Sequence, residues 1–475
     1  FTHDRIREVV DDLTPPARRR RLHAAVAGAL EQILRDDPGV VSALLGRHYE
    51  QAGLLREAVV AYARVGQRSV DLFALEDAIG AFRHALVLLG HLPSDRWRDE
   101  RELELRIGMG VPLVAREGYG SDAVRDAYER ALALCHRLGR DPDPPVLRGL
   151  GLASLMACRF DRASQLGDSL LVHDGARNPT AGTEGHYLLG VSAFWRGDLT
   201  AARDHLQTAI DAFRDEHRND HLALYGQDPK AVCTVRLALA ELWAGRFCVS
   251  RDLARDALQR ATSLDHPTTT GYVRVYTAIL AAERDQPAAL GEEVAAGEAI
   301  WSRQQLGYFM TVGRLLRTWL DVVTGEQSPT GELADAVAVS RQRAQTLHFT
   351  YGLLLLTRAR LRAGEAEAGR LSAAEAIRWS TAHDQRYLEA ELRRLDGELL
   401  VLTGDRGAGL DAFRHSLDLA RSQSSRWFEL KAACSLARHD PGPETRALLE
   451  GALASLDQGG ELPLLGEARS LLAGG

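Results

Sequence analysis

The chain has 475 residues, 45% of them hydrophobic and 26% charged, and its 58 basic against 65 acidic side chains leave a formal net charge of −7. This is ordinary globular composition. The negative balance speaks against a surface that clamps a nucleic-acid backbone, and no run of 18 apolar residues is present to span a bilayer as a helix.

In chain order, Thr14 followed by Pro15 and Pro16 is a helix start: a hydroxyl cap, then residues whose missing N–H costs nothing in the first turn. The helix is predicted over 15–34, stopping before Asp37-Pro38. Its basic run, Arg18 to Arg21, is expected on a solvated face or against a neighbouring domain. Helix pairs follow: 40–53 with 55–64, a compressed unit ending at Gly90, and 97–116 with 121–138.

A frame then emerges. A small residue, a bulky one four on, and a small one three further recur as Ala58/Tyr62/Val65, Ala78/Phe82/Ala85, Val124/Tyr128/Ala131, Ala202/Leu206/Ala209 and Ser250/Ala254/Ala257. Steps of four and three put all three on one helix face, with close-approach positions either side of the bulky residue. A Gly five residues earlier and a Leu-small pair before it complete the unit in Leu45-Gly46/Gly53/Ala58 and Leu189-Gly190/Gly197/Ala202; Leu237-Ala238/Gly245/Ser250 keeps the spacing. Beyond Pro144-Pro145 the first small position, or its substitute, falls at Ala163, Ala202, Ser250, Leu290, Leu333, Gly369, Gly409 and Ala447, at intervals of 36 to 48 residues.

The longest interval holds residues 215–228, read as an irregular insertion. At its end Gly226 permits a sharp turn, Asp228 can cap the next helix and Pro229 fits its first turn. Residues 268–277 are β-branched enough for a strand, but the surrounding frame demands helix. Residues 462–472 form a terminal capping helix. A two-helix unit with a tight glycine turn, repeated in tandem, resembles the tetratricopeptide (TPR) class. The expected fold is all-α, a right-handed α-solenoid of TPR-like helix pairs, continuous over 14–475 and with roughly twenty or more helices.

Chemistry is sparse. The sequence lacks G-x-x-x-x-G-K-[ST], H-E-x-x-H and G-x-S-x-G, so no catalytic activity, cofactor or metal is expected in this chain. Cys135, Cys158, Cys233, Cys248 and Cys434 are scattered and read as free thiols of a cytoplasmic protein. His217 and His221 are four apart and could share a metal, but Asn219 weakens a sustained helix there. In a TPR-like array the first helix of each pair lines the concave face, which projects Tyr187, Val191 and Phe194, then Val235, Leu239 and Leu242, with Tyr272 from the next pair. Further along it gives Tyr351, Arg358, Glu391, Arg394 and Glu398. The candidate ligand or partner site is Tyr187, Phe194, Tyr225, Gln227, Val235 and Tyr272, with Arg358 and Arg394 as a second stretch. Packing between repeats, or a solvated row of ion pairs, is the competing reading of these residues. Trp195 and Trp243 are expected to pack between helices.

Three stretches carry a family resemblance. FTHDRIREVV with LTPPARRRRLHAAVAGALE is similar to the junction between the winged-helix subdomain of a STAND signalling ATPase and its TPR arm; YGQDPKAVC resembles a motif within such arms; RYLEAELRRLDGELL and WFELKAACSLAR resemble their closing repeats. The resemblance implies that residues 1–13 are a winged-helix remnant and that the parent is a large bacterial regulator, of LuxR type or a SARP-type regulator of antibiotic biosynthesis. The arm of a class III nucleotide cyclase and a free-standing peptide-binding scaffold remain as alternatives. It further implies that ATP or ADP with Mg binds upstream, where His3 would sense the nucleotide. Implied partners are the parent's own ATPase and output domains, a small-molecule or peptide effector, and a second copy of the chain.

Overall fold

A computed structural model of the chain describes residues 14–33, 38–175, 178–325, 330–342, 346–457 and 462–474. Residues 1–13, for which the resemblance implies a winged-helix remnant, and His3 among them, lie outside the described residues. Among the described residues there are 24 α-helices, three short 3-10 turns and no strand, so residues 268–277 are helical as the repeat frame requires. None of these helices is long and apolar enough to cross a membrane. The chain packs as two units, residues 1–116 with 122–146, and residues 117–121 with 147–475.

The first unit stacks α1 (Pro16–Ile33), α2 (Pro38–Ala52), α3 (Leu55–Asp71), α4 (Leu75–Gly90), α5 (Arg96–Glu117) and α6 (Asp122–Arg137). The compressed unit is a sharing arrangement: α3 is the second helix for α2 and the first for α4. The second unit begins within α7 (Pro144–Met156), paired with α8 (Phe160–Val172); α9 (Ala181–Arg196) pairs with α10 (Leu199–Ala212). Residues 215–228, expected to be irregular, hold a 3-10 turn, Asp215–His217, and an eight-residue helix, α11 (Arg218–Tyr225), stopped by Gly226 at φ +69°. His221 and Tyr225, one turn apart, bury on the inner side and hold this helix in place. The remaining pairs are α12 (Pro229–Trp243) with α13 (Phe247–Ser263), α14 (Pro267–Glu283) with α15 (Pro287–Arg303), α16 (Gly307–Thr324) with α17 (Thr330–Gln342), α18 (Phe349–Arg362) with α19 (Ala366–Ala382), α20 (Glu389–Leu402) with α21 (Arg406–Ser422), and α22 (Arg426–His439) with α23 (Pro443–Ala454), closed by α24 (Pro463–Ala473).

The frame has a direct packing meaning. The bulky residue of each second helix sits on the glycine of the first: a Cβ on Gly46 would lie 3.0 Å from the Tyr62 ring, one on Gly66 2.6 Å from Phe82, and one on Gly397 2.6 Å from Phe413. At Gly190 it would stand 2.9 Å from Leu206 Cγ and 3.1 Å from the Leu206 backbone nitrogen, which cannot move aside as a side-chain tip can. Gly190→Leu is therefore expected to cost at least the roughly 1–3 kcal/mol typical of overpacking, while Leu206→Met, which keeps volume, costs less than about 1.5. Thermal unfolding of the two variants checks this; equal midpoints would place the helix contact elsewhere. Of the eight frame positions beyond Pro145, Ala447 alone is exposed, because α23 buries Thr445, Leu449 and Ala452 instead.

The turns follow one rule that glycine reveals only in part. Gly53, Gly197 and Gly245 end their helices in the left-handed region, at φ +78°, +83° and +82°. Positions 265, 285 and 305 continue the series at twenty-residue steps with Asp265, Asp285 and Gln305, all at positive φ, before Gly325; Gly364, Asp384, Gly404 and Ser424 repeat it. At Gly53, Gly197, Gly245, Asp285, Gln305, Gly364, Asp384, Gly404 and Ser424 the following N–H reaches back to the last turn, as Arg246 N to Glu241 O (2.9 Å) and Gln286 N to Ala281 O (3.0 Å), satisfying carbonyls the helix leaves open.

Candidate functional site

The first helices of the pairs line the inner face of the second unit, and that face is closed. Ser425 Oγ donates to the Trp243 carbonyl (3.4 Å), Cys248 N donates to Asp457 Oδ2 (3.0 Å), Asp457 N to the Gly245 carbonyl (3.1 Å), and Arg196 pairs with Asp384 (2.9 Å). Repeats about 200 residues apart in sequence thus pack on one another. As a result Tyr187, Phe194, Tyr225, Gln227, Val235 and Tyr272 are all between 0% and 6% exposed. They belong to the interior of the unit and present no open surface. Trp195 and Trp243 are packed as expected, against Tyr387 and Phe194 at ring-centroid distances of 4.5 and 5.1 Å.

Three polar centres sit within this interior. In the first, Arg148 Nε donates to Glu184 Oε2 (2.6 Å), and Glu184 Oε1 accepts from His221 Nδ1 (2.8 Å). The guanidinium lies over the Tyr187 ring at 4.5 Å and reaches Gln227 Oε1 at 3.5 Å. Burial alone would raise the Glu184 carboxyl; the Arg148 and His221 charges outweigh it and hold the group below the usual carboxylate range. The YGQDP stretch is explained here: Tyr225 Oη and Thr180 Oγ1 share a hydrogen bond (3.1 Å), Asp228 accepts from Ala231 N (2.8 Å) as the cap of α12, and Arg260 grips its carboxylate through Nε and Nη2, each at 2.8 Å. His217 is on the outside, bonded to Asp220, so the two histidines of the suggested metal pair point to different partners. Among the described residues no group of three or more His, Cys, Asp or Glu is placed to hold a metal.

In the second centre Arg236 donates to Tyr272 Oη (2.6 Å) and stacks on Tyr276 and Trp195 at 4.2 and 4.8 Å. Tyr276 Oη and Tyr308 Oη hold the two nitrogens of His348 at 3.1 and 2.7 Å, a pairing a neutral imidazole satisfies by donating to one and accepting from the other.

The third centre is the one that opens to solvent. Arg358 on α18 donates to Glu283 (2.8 and 3.2 Å) and Glu391 (3.1 Å); Arg394 on α20 donates to both Glu391 oxygens (2.8 and 3.1 Å) and to Glu398 (3.2 Å); Lys431 on α22 stands 3.3 Å from Glu391 and 3.8 Å from Glu283. Burial would raise both buried glutamates, and the surrounding cations hold them down. These groups form one wall of a cavity of about 370 Å³ also bounded by Trp319, Trp427 and the first turn of α24. Arg358 and Arg394, the second stretch singled out from sequence, thus come together here. Lys431, Glu283, Arg148, Glu184 and Arg236 were not singled out. A signal existed: in α12 apolar residues flank Arg236 on every face, with Lys230 and Glu241 kept near the ends, the pattern of a helix covered all round, and Lys431 is one of only two lysines among 58 basic residues.

Together the helix pairs and this interior define an all-α, TPR-like scaffold. No family model matches the chain. An uncharacterised protein of Rhizobium meliloti (strain 1021) is 22% identical over 438 residues, 90% of this chain and 42% of that protein, so the chain spans less than half its relative's length. Among solved structures, the Rap protein complexed with competence and sporulation factor superposes with a TM-score of 0.52 at 10% identity, over 78% of this chain and 99% of Rap. Yeast Tom70 matches more loosely, with a TM-score of 0.33 at 11% identity over 96% and 95% of the two chains. The likeness to Rap is one of fold.

Proposed function

We propose that this chain is the effector-reading arm of a STAND-type ATPase regulator that controls transcription, and that it acts by binding rather than by catalysis. The observation that carries the reading is the resemblance of residues 1–31 to the junction where such an ATPase hands over to its helical arm. Two facts support it: the relative extends far beyond the matched region, and a scaffold of this fold, Rap, has been solved with a factor bound. An effector held between repeats would bias the parent between resting and oligomerising states, and only to the extent that it binds one state better than the other.

The test is the gene region preceding Phe1 and the behaviour of its product. A P-loop ATPase with a DNA-reading output domain is expected, and deleting residues 14–475 should change its nucleotide turnover and transcriptional output. A cyclase fold upstream would select the cyclase arm. An upstream region with no nucleotide-binding loop would overturn both and leave the peptide-binding scaffold.

A further inference from the structure

The cavity beside Lys431 has a sign. Its walls carry six cationic side chains, from Arg284, Arg358, Arg362, Arg394, Lys431 and Arg438, against four carboxylates, in a chain whose overall charge is −7. Counting Glu398, which accepts from Arg394 and Arg438 behind the wall, still leaves an excess of cations. Exposure decides which charge a ligand would meet. The Glu283 and Glu391 side chains are 0% and 1% exposed and their oxygens are taken up by the surrounding cations, whereas those of Arg358, Arg394 and Lys431 keep 12%, 14% and 14%. Glu283 and Glu391 thus form a floor under these N–H donors, while Asp285 and the partly exposed Glu467 are the open carboxylates of the lining, beside the exposed Arg362 and Arg438, the latter paired with Glu467.

Lys431 has donors to spare. An ammonium carries three N–H groups, and this one has two carboxylate neighbours, at 3.3 and 3.8 Å, both longer than a good charge-assisted hydrogen bond. A second, independent feature lies in the same wall. The Trp427 indole N–H is buried without a hydrogen-bond partner, and the Trp427 ring lies 5.3 Å beneath the ammonium. A buried donor without an acceptor is costly unless something occupies the space beside it. Trp319, Leu361 and Leu395 add apolar surface to the lining. The volume lies at the small end of the range that small-molecule sites use.

We propose that this cavity is a binding site for a small organic acid, its anionic oxygens held by Lys431, Arg394 and Arg358 and its apolar part lying against Trp427 and Trp319. Binding would lock α14, α18, α20 and α22 together through one shared ligand. The inference concerns the chain itself and does not depend on an ATPase upstream.

The experiment titrates the 475-residue chain with 3-phenylpropionate, with the neutral 3-phenylpropanamide and with inorganic phosphate, following tryptophan fluorescence and thermal midpoint. Saturable binding of the acid, at least tenfold tighter than the amide, is expected, together with a raised midpoint. Competition by phosphate would mean that the site reads anionic oxygens of either geometry; binding of the acid without such competition would assign it to carboxylates. Lys431→Gln should weaken the acid at least tenfold. Should that variant fail to fold, Trp319→Ala, in the cavity lining and outside the ion-pair network, should weaken the acid while leaving its preference over the amide. No saturable binding of either anion up to about 10 mM, a range in which fragment-sized ligands register, would overturn the proposal, as would equal affinity for acid and amide or unchanged affinity in Lys431→Gln.

Discussion

Glu184→Gln is expected to be among the most damaging single substitutions in the second unit, costing about 3–5 kcal/mol. The change keeps shape and removes one charge. Arg148 and Glu184 are only 3% and 1% exposed at their side chains, so the guanidinium left behind would have neither water nor a counter-ion. Its remaining neighbours, the Tyr187 ring, Gln227 and the Tyr119 hydroxyl, carry no compensating charge. Removing both charges should hurt much less: Arg148→Leu with Glu184→Leu deletes the desolvation cost along with the attraction, and such replacements are often close to neutral. His221 keeps an acceptor in the glutamine carbonyl of the single variant and loses it in the double, so the lost bond counts against the double variant and makes the comparison conservative. Denaturant unfolding of the single and double variants checks this. A single variant within about 1 kcal/mol of the parent would mean that water reaches the pair, and with it that the inner face is open in solution.

The second large effect is acid sensitivity, and its first stage belongs to histidine. Burial, with the Arg236 charge as the second cause, lowers His348 from 6.5 to about 3. Burial likewise lowers His266 to about 4, against a smaller opposing effect of Asp228. A folded state that refuses a proton the unfolded chain accepts loses stability as pH falls from the unfolded value towards the folded one. Stability should thus be level with respect to these groups above about pH 6.5. It should then decline by up to roughly 1.4 kcal/mol per pH unit for each histidine. Below the ordinary carboxylate range Glu184, Glu283 and Glu391, all held low by their cations, add a steeper loss in the same direction. His348→Gln is the informative variant, because an amide can donate to one tyrosine and accept from the other without titrating. It should remove the His348 share of the decline between about pH 6 and 4, roughly halving it while His266 still contributes, and leave the carboxylate stage in place. Thermal midpoints across pH 8 to 3 are the measurement; an unaltered first stage would show that His348 is accessible to protons in the native state.

What was legible in the sequence is what is local. Gly46 and Gly190 with Tyr62 and Leu206 announced where two helices touch, since a residue without a side chain sixteen positions before a bulky one reports on the contact of neighbouring helices. Asp228-Pro229 announced a helix start, for a cap needs only the next three residues. The helical period, the pairing of neighbours and the glycine-ended turns follow from steric and hydrogen-bonding rules that act within one repeat. The left-handed turns at Phe73, Asp265, Asp285, Gln305, Asp384 and Ser424 were not legible, because an L-residue adopts that conformation only where flanking helices impose it. The helix at Arg218–Tyr225 also depends on burial of His221 and Tyr225 by other repeats. Above all, tertiary structure decided the inner face. Tyr187, Phe194 and Val235 alternate between a binding surface and a core on any sequence argument, and contacts such as Ser425 with Trp243, 182 residues apart, make them core. The same closure gathers Glu283, Arg358, Glu391 and Lys431, scattered over four helices, into one charged cavity. Sequence determines which residues share a helix face; only the packing of distant repeats determines whether that face meets water, a ligand or another part of the chain.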